Sequence, residues 1–501
     1  MTPVLATGSG GALLVVAVFL PVIGMLGIFF LGVRRAWWIA PLILPAGLIT
    51  SLAIAFDVAQ SGMPVTYALG NWQPPLGIAL RADGLAAVFM VMTAWILCAV
   101  ALYAGGASTG AQDTLENRRP YVFWILLLGL WCALNTTFLA QDLFTLFVAL
   151  ELLTFSAVPL VCLDGKRETL QAALRYLLFA LVGSVFYLIG AAVLYGNYGT
   201  LDLSGLREAA RYDLATAIAL GLMIVGLMAK AALFPLHLWL PPAHAGAPPA
   251  ASAVLSALVV KAPFFLILRL WFDVAPQSSF ELPAQMLAGL GMASIIVCSV
   301  MALRQERLKL MIAYSTVAQI GYLFLMFPLV TSIDGSAIFQ SIGWTGGVLQ
   351  AVSHALAKAS MFLAAGVIAE TLGHDRIDKL NGAVTVVPVS IAAFGLSGLS
   401  LMGLPPSGGF VAKLMLLTAA TENSSWWIAA TILLGGILAA SYVFRVLGRA
   451  LAAPPEGLSS ARRVPLRREL VVLGLAICAV LLGFVPLQPF GFLGIGRTGL
   501  P

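Results

Sequence analysis

Fourteen runs of roughly twenty apolar residues, each bounded by charges or by Gly/Pro, follow one another along this 501-residue chain. They lie near 11–32, 36–56, 84–104, 121–139, 142–163, 170–195, 214–240, 249–272, 283–303, 308–330, 343–370, 384–420, 425–448 and 470–490. A run of that length matches the hydrocarbon thickness of a bilayer. Backbone crossing it must satisfy its own N–H and C=O groups within the segment, which leaves the α-helix. Composition agrees: 61% of the residues are hydrophobic and only 10% charged, with a mean hydropathy of +1.00, whereas soluble proteins carry about 25% charged residues. A water-soluble enzyme is excluded. The expected fold is an all-α polytopic membrane protein with about 14 transmembrane helices and no separate water-facing module.

The charges orient these helices. With the amino terminus outside, the inward loops and span ends hold Arg34, Arg35, Arg118, Arg119, Lys166, Arg167, Arg175, Arg304, Arg307, Lys309, Arg376, Lys379, Arg445, Arg449, Arg462, Arg463, Arg467 and Arg468. The outward side holds only Arg81, Arg207, Arg211, Arg269 and Arg497. This asymmetry is what the positive-inside rule requires, and it puts both termini outside, on the periplasmic face of a bacterial inner (plasma) membrane. The net charge of +6 is thereby used up as a topology signal and implies no nucleic acid partner. No basic residue precedes the first run, which starts near Ala12, so it reads as a first span rather than a secretory signal.

Cys98, Cys132, Cys162, Cys298 and Cys478 are scattered singly, without the clustering that zinc or an iron–sulfur centre demands. There is no dinucleotide-binding G-x-G-x-x-G turn in a strand-to-helix setting and no phosphate-binding P-loop. The expectation is a chain with no cofactor and no metal site, not catalytic alone.

Several residues do not belong in hydrocarbon. Glu151 lies in the middle of the fifth run, Lys230 late in the seventh, Lys261 in the eighth, His354 and Lys358 in the eleventh, and Lys413 in the twelfth. Each costs at least about 2.5–3.5 kcal/mol on insertion scales unless it finds a partner or a hydrated cavity. A lysine in a poorly solvated site loses part of its preference for the charged form, and a nearby carboxylate restores it. Glu151 is the natural counter-ion for Lys230. Lys261, His354 and Lys358 continue the line toward Lys413, and the imidazole exchanges protons near neutral pH. The set reads as a proton relay, against the plainer reading that it pins helices together or snorkels.

Two spans are interrupted. After Lys230 comes FPLHLWLPPAHAGAPP, where Pro235, Pro241, Pro242, Pro248 and Pro249 remove backbone donors; before Lys413 comes GLPPSGGF, with Pro405, Pro406, Gly408 and Gly409. Broken backbone at membrane depth survives only inside protein or beside a watery cavity, and a matched pair of broken helices points to a transport site. The breaks fall five spans apart, which suggests two five-helix repeats. His237 and His244 flank the first break as candidate access-path residues. His374 reads as solvated, and RRVPLRREL as a topology anchor.

KAALFPLHLWLPPAH with the downstream Lys261, RLKLMIAYSTVAQIGY, SHALAKASMFLAAG and GLPPSGGFVAKL together resemble the antiporter-like membrane subunits shared by respiratory complex I, membrane-bound hydrogenases and Mrp-type cation/proton antiporters. The resemblance spans roughly residues 70–450. QDLFTLFVALELL and RYLLFALVGSVFYLIGAAVLYGNYGTLDL look most like the Mrp D-type subunit; complex I subunits commonly carry Trp before the glutamate, where this chain has Leu150. The resemblance implies a fourteen-helix unit with two inverted five-helix repeats and two broken helices. It divides the chain into an N-terminal three-helix segment (1–120), the first repeat (121–275), the second repeat (283–450), and an inner loop with a C-terminal helix (451–501). It also carries the family's functional positions over to Glu151, Lys230, Lys261, His354, Lys358 and Lys413. The function this implies is proton translocation within a complex I-related or Mrp-type multi-subunit assembly. The partners would be other membrane subunits, the lipid bilayer, and protons, with Na⁺ or K⁺ as counter-cation left open. A stand-alone cation/proton antiporter and a structural anchor for redox or carbon-uptake partners are the alternatives.

Overall fold

The computed structural model describes residues 10–74, 76–105, 118–211, 213–275, 281–331, 338, 341–454, 464–485 and 490–497. Arg462 and Arg463 of the inward count lie outside the described residues.

The chain opens with α1 (Gly11–Leu31) and α2 (Val33–Ser61), a two-stranded antiparallel hairpin of β1 (Val65–Ala68) and β2 (Ala79–Ala82), and α3 (Gly84–Ala104). A first run of five spans follows: α4 (Arg118–Leu139), α5 (Leu143–Val161), α6 (Arg167–Tyr198), the seventh span, and the eighth. A short α7 (Leu203–Ala209) precedes the seventh span, which is α8 (Leu214–Lys230), unwound backbone, then α9 (Leu240–Gly246). The eighth is continuous from Pro249 to Val274 but alternates α10 (Pro249–Val254) and α11 (Lys261–Arg269) with two π-helical turns. The second run holds α12 (Glu281–Leu303), α13 (Leu308–Phe324) with α14 (Met326–Thr331), α15 (Ile342–Leu372), a twelfth span split into α16 (Ala383–Val386), α17 (Pro388–Met402) and α18 (Gly408–Glu422), and α19 (Trp426–Ala450). Then come α20 (Leu466–Leu481) and a short α21 (Phe490–Gly494). All fourteen expected spans are present. Eleven helices among the described residues are long and apolar enough to cross a membrane unaided.

Because each run has an odd number of spans, the second enters from the face opposite the first, so the two are inverted relative to each other. The loops sort into two faces. One carries the hairpin and is stitched by backbone bridges from Leu80 to Ala140 and from Asp142 to Asp202; the other carries Lys166, Arg307 and Arg376 and is stitched by the bridge from Arg307 to Arg376.

Packing follows the rule for a lipid solvent, with small residues between helices and large apolar ones outward. Helix α6 buries Ala173, Ala180, Gly183, Ser184 and Ala191 and exposes Leu174, Leu178, Val182 and Val185. A Cβ on Gly183 would stand 2.5 Å from the Gly226 carbonyl oxygen of α8, so only glycine lets these two helices approach this closely. The eighth span and α15 are buried almost throughout. Those are the spans that carry Lys261, His354 and Lys358, which places these groups at the centre of the molecule.

The first break differs in detail from the proline reading. Residues 231–239 leave the helix, and so do Ala247 and Pro248 between α9 and α10; Pro241, Pro242 and Pro249 instead begin helices α9 and α10, where a missing N–H costs nothing.

Candidate functional site

Glu151 sits two turns into α5 and Lys230 is the last residue of α8. A cation there meets the negative end of the helix dipole. Lys230 Nζ donates to Glu151 Oε1 at 3.1 Å and to Thr154 Oγ1 at 3.0 Å, and Ser184 Oγ on α6 donates to the same carboxylate oxygen. Lys230 is 6% exposed and Glu151 17%. The unwound backbone beyond Lys230 is compensated by side chains. Trp239 Nε1 donates to the Ala229 carbonyl at 2.9 Å while its ring stacks on Tyr176. Ala232 holds φ +57, a conformation that costs an L-residue about 1–2 kcal/mol.

Lys261 and Lys358 meet no carboxylate among the described residues. Pro263 lacks the N–H that a regular helix would direct back to Val259, the turn before it is π-helical, and Lys261 Nζ donates to the Ser256 carbonyl within that turn at 2.6 Å. Such bulges concentrate at functional positions. Ser256 Oγ in turn meets Thr316 Oγ1 of α13 at 2.9 Å. Lys358 Nζ donates to the Ile312 carbonyl at 3.1 Å and to Ser315 Oγ. His354 is buried with neither ring nitrogen hydrogen-bonded among the described residues, one turn before Lys358 on α15.

At the far end, the second break leaves the Leu401 carbonyl without a helical partner. Lys413 Nζ on α18 donates to it at 2.5 Å and Gln319 Nε2 of α13 at 3.0 Å, while the Lys413 ammonium lies 4.2 Å from the Tyr322 ring centroid. Gly403 closes α17 at φ +80, and a Cβ there would stand 2.7 Å from Lys413 Cδ. Gln350 Nε2 donates to Gln319 Oε1 at 3.0 Å, and Ser353 shares a hydrogen bond with Ser400 across to α17. Gln350, His354 and Lys358 recur every four residues, so α15 presents one polar stripe along a single face. Among the described residues, Lys230 is the only one of the four lysines paired with a carboxylate.

Of the two histidines at the first break, His244 is fully buried and stacks on Phe362 of α15 at 4.5 Å, one turn along from Lys358. His237 stacks on Phe234. His374 is half-buried.

Sequence reasoning missed a second charged centre, under the hairpin. Asp83, capping α3, is completely buried and is gripped by Arg269 through contacts of 2.5 and 2.9 Å; Arg269 and Arg497 both also reach Asp273, at 3.2 and 3.3 Å. Burial alone would raise the Asp83 carboxyl, but Arg269, Arg497 and Arg81 outweigh it and hold it well below the usual carboxylate range. Removing one partner from such a cluster strands the others at a cost of about 3–5 kcal/mol. The C-terminal segment is drawn in with it: the Gly84 N–H donates to the Ile495 carbonyl, Arg81 to that of Gly496, and the Arg497 guanidinium lies over the Trp344 ring. Beneath lie Trp344, Phe272, Phe327 and Phe324, in ring-to-ring contact. Arg81, Arg269 and Arg497, counted as outward topology residues, are therefore structural. Arg468 of RRVPLRREL is likewise a tie, paired with Glu370 at 2.7 Å and lying over Tyr103.

Residues 140–439 match the family described as NADH:quinone oxidoreductase/Mrp antiporter, TM. The N-type member of the NADH-quinone oxidoreductase subunits of Desulforudis audaxviator is 33% identical over 414 residues, covering 81% of this chain and 79% of the relative. The D-type member of the Na⁺/H⁺ antiporter subunits of Alkalihalophilus pseudofirmus is 31% identical over 398 residues, covering 78% and 76%. Among solved structures, a chain of the Mrp complex from Dietzia sp. DQ12-45-1b superimposes with a TM-score of 0.87 over 97% of both chains at 24% identity, a likeness of fold.

Proposed function

The chain belongs to the NADH:quinone oxidoreductase/Mrp antiporter transmembrane family, and from that premise we propose that it is the proton-translocating, antiporter-like membrane subunit of a complex I-related or Mrp-type multi-subunit assembly. One observation carries the reading. Four lysines and a histidine are buried within the bundle, with a half-buried acid against the first of them, and each amine rests on a hydroxyl or a backbone carbonyl. Purely structural ion pairs would come with counter-ions, and three of these amines have none among the described residues. A hydroxyl or a carbonyl holds an ammonium without fixing it there, which suits a proton that must move on.

Loading Glu151 with a proton removes the negative charge that favours the ammonium form of Lys230. Lys230 then releases toward Lys261 and His354, Lys358 takes part at the centre, and Lys413 is the last amine before release. Residues 121–275 and 283–450 act as the two repeats, between an N-terminal segment (1–120) and a C-terminal one (451–501). The face carrying Lys166, Arg307 and Arg376 is the inner one and both termini lie outside, in a bacterial inner membrane. Neighbouring membrane subunits supply the drive, either quinone-linked oxidoreduction or exchange against Na⁺ or K⁺, and His244 lies on the inner access path.

Gentle purification from native membranes tests the assembly. Iron–sulfur or flavin proteins travelling with the chain are expected for a redox-driven complex, and several small hydrophobic chains for an exchanger. A lone chain that moves protons at full rate in vesicles would overturn the proposal.

A further inference from the structure

A cavity of about 450 Å³ opens on the basic face between the start of α6, the end of α9 and the start of α13, lined among others by Asp164, Lys166, Arg175, Gly246, Arg307 and Lys309. Its floor is the last turn of α9. Two basic side chains from the start of α13 hold that floor: Lys309 Nζ donates to the Ala247 carbonyl at 3.0 Å, and Arg307 Nη2 reaches the Ala245 carbonyl at 3.4 Å.

His244 lies just behind the floor, fully buried, with neither ring nitrogen hydrogen-bonded among the described residues. Its ring stacks on Phe362 of α15, one turn along from Lys358, and the chain three residues on is held by Lys309 through the Ala247 carbonyl; Lys261 lies on the neighbouring eighth span. Lys358 and Lys261 belong to the central line and are shut off from the cavity. Lys309 alone among these three also lines the cavity. It therefore has a place in both environments: it lines the cavity with Asp164, Lys166 and Arg307, and its amine is bonded to the Ala247 carbonyl, three residues beyond the buried His244.

We propose that Lys309 is the inner proton gate of the relay, a positioning and proton-passing residue that collects protons in the vestibule and delivers them by way of His244 to Lys358. This rests on the relay reading above. A lysine suits the task because its amine can give up a proton, whereas the guanidinium beside it cannot. Arg307 pins the same loop without being able to conduct. In each cycle the Lys309 ammonium gives its proton to a neutral His244, the imidazolium passes that proton to a neutral Lys358, and Lys309 is reprotonated from the vestibule; charge and proton number balance at every step.

The rival explanation is that Lys309 merely caps the short helix α9. Lys309→Arg separates the two, since arginine keeps the charge and the donor to Ala247 but cannot deprotonate. Membrane vesicles holding the whole assembly, oriented with the inner face outward, report proton movement through a pH-sensitive dye. The gate predicts that Lys309→Arg lowers the rate at least about tenfold with the assembly present in normal amount, and that His244→Gln does the same. If Lys309→Arg moves protons at the wild-type rate, Lys309 is a cap and the gate is wrong. Lys230→Ala is measured in parallel: transport lost there but intact in Lys309→Arg overturns the gate alone, and transport intact in Lys230→Ala overturns the relay itself.

Discussion

Proton movement stops in vesicles carrying Lys230→Ala, and it stops equally in Glu151→Ala, while both assemblies insert and purify as the wild type does. Among the described residues the two form the one amine–carboxylate pair of the line, 3.1 Å apart, with Thr154 Oγ1 accepting a second hydrogen bond from Lys230 and Ser184 Oγ donating to the carboxylate. Without the amine there is nothing to receive and pass on the proton; without the acid nothing alters the amine's hold on it. Loss of a positioned acid or base costs typically 10²- to 10⁴-fold in rate, so residual flux at or below about one per cent is expected. Survival of the fold is also expected. Helices α6 and α8 approach closely where Gly183 meets the Gly226 backbone, and Tyr187 and Leu194 lie on the buried face of α6; the backbone contact remains although Lys230 Cγ also packs at Gly183. Wild-type rates in both variants would remove the relay.

The other end of the line gives a comparable effect by a different route. Lys413→Met is expected to cut transport about a hundredfold or more, because its ammonium alone joins the Leu401 carbonyl to the Tyr322 ring. A subtler change should do nearly as much damage with the amine still present. Gly403 sits at φ +80 with Lys413 Cδ where a Cβ would go, so Gly403→Ala must both strain the backbone and push the amine off Leu401. If Gly403→Ala translocates normally, the position of Lys413 does not matter, and the terminal step assigned to it is wrong. The rates of the two variants, set beside the amount of assembly in the same membranes, decide this.

The spans were legible because length and apolarity are local properties: a run of about twenty greasy residues has one stable form in a bilayer. Both breaks were legible for the same reason, since proline and glycine act on their own backbone. How the breaks are compensated was not. Trp239 reaching back to Ala229, and Gln319 with Lys413 sharing Leu401, depend on which helices become neighbours. The charged centre at Asp83 was hidden because Arg269 lies 186 residues away. Charge counting also places arginines on a face without telling a solvated one from a buried one. The stripe of Gln350, His354 and Lys358 was readable in part: the four-residue spacing is present in the sequence, but Gln350 carries no charge and so was passed over.

The claim that everything else depends on is that these titratable groups carry the proton. Removing the acid, the histidine and all four lysines at once tests it most directly, with Glu151→Gln, His354→Gln and methionine at positions 230, 261, 358 and 413 in one chain. Methionine is close to lysine in size and avoids the cost of a charge in hydrocarbon, so the assembly is expected in normal amount. The dye-reported proton flux in oriented vesicles is expected to fall to that of vesicles lacking the chain. Flux at the wild-type rate from that fully assembled variant would contradict the account.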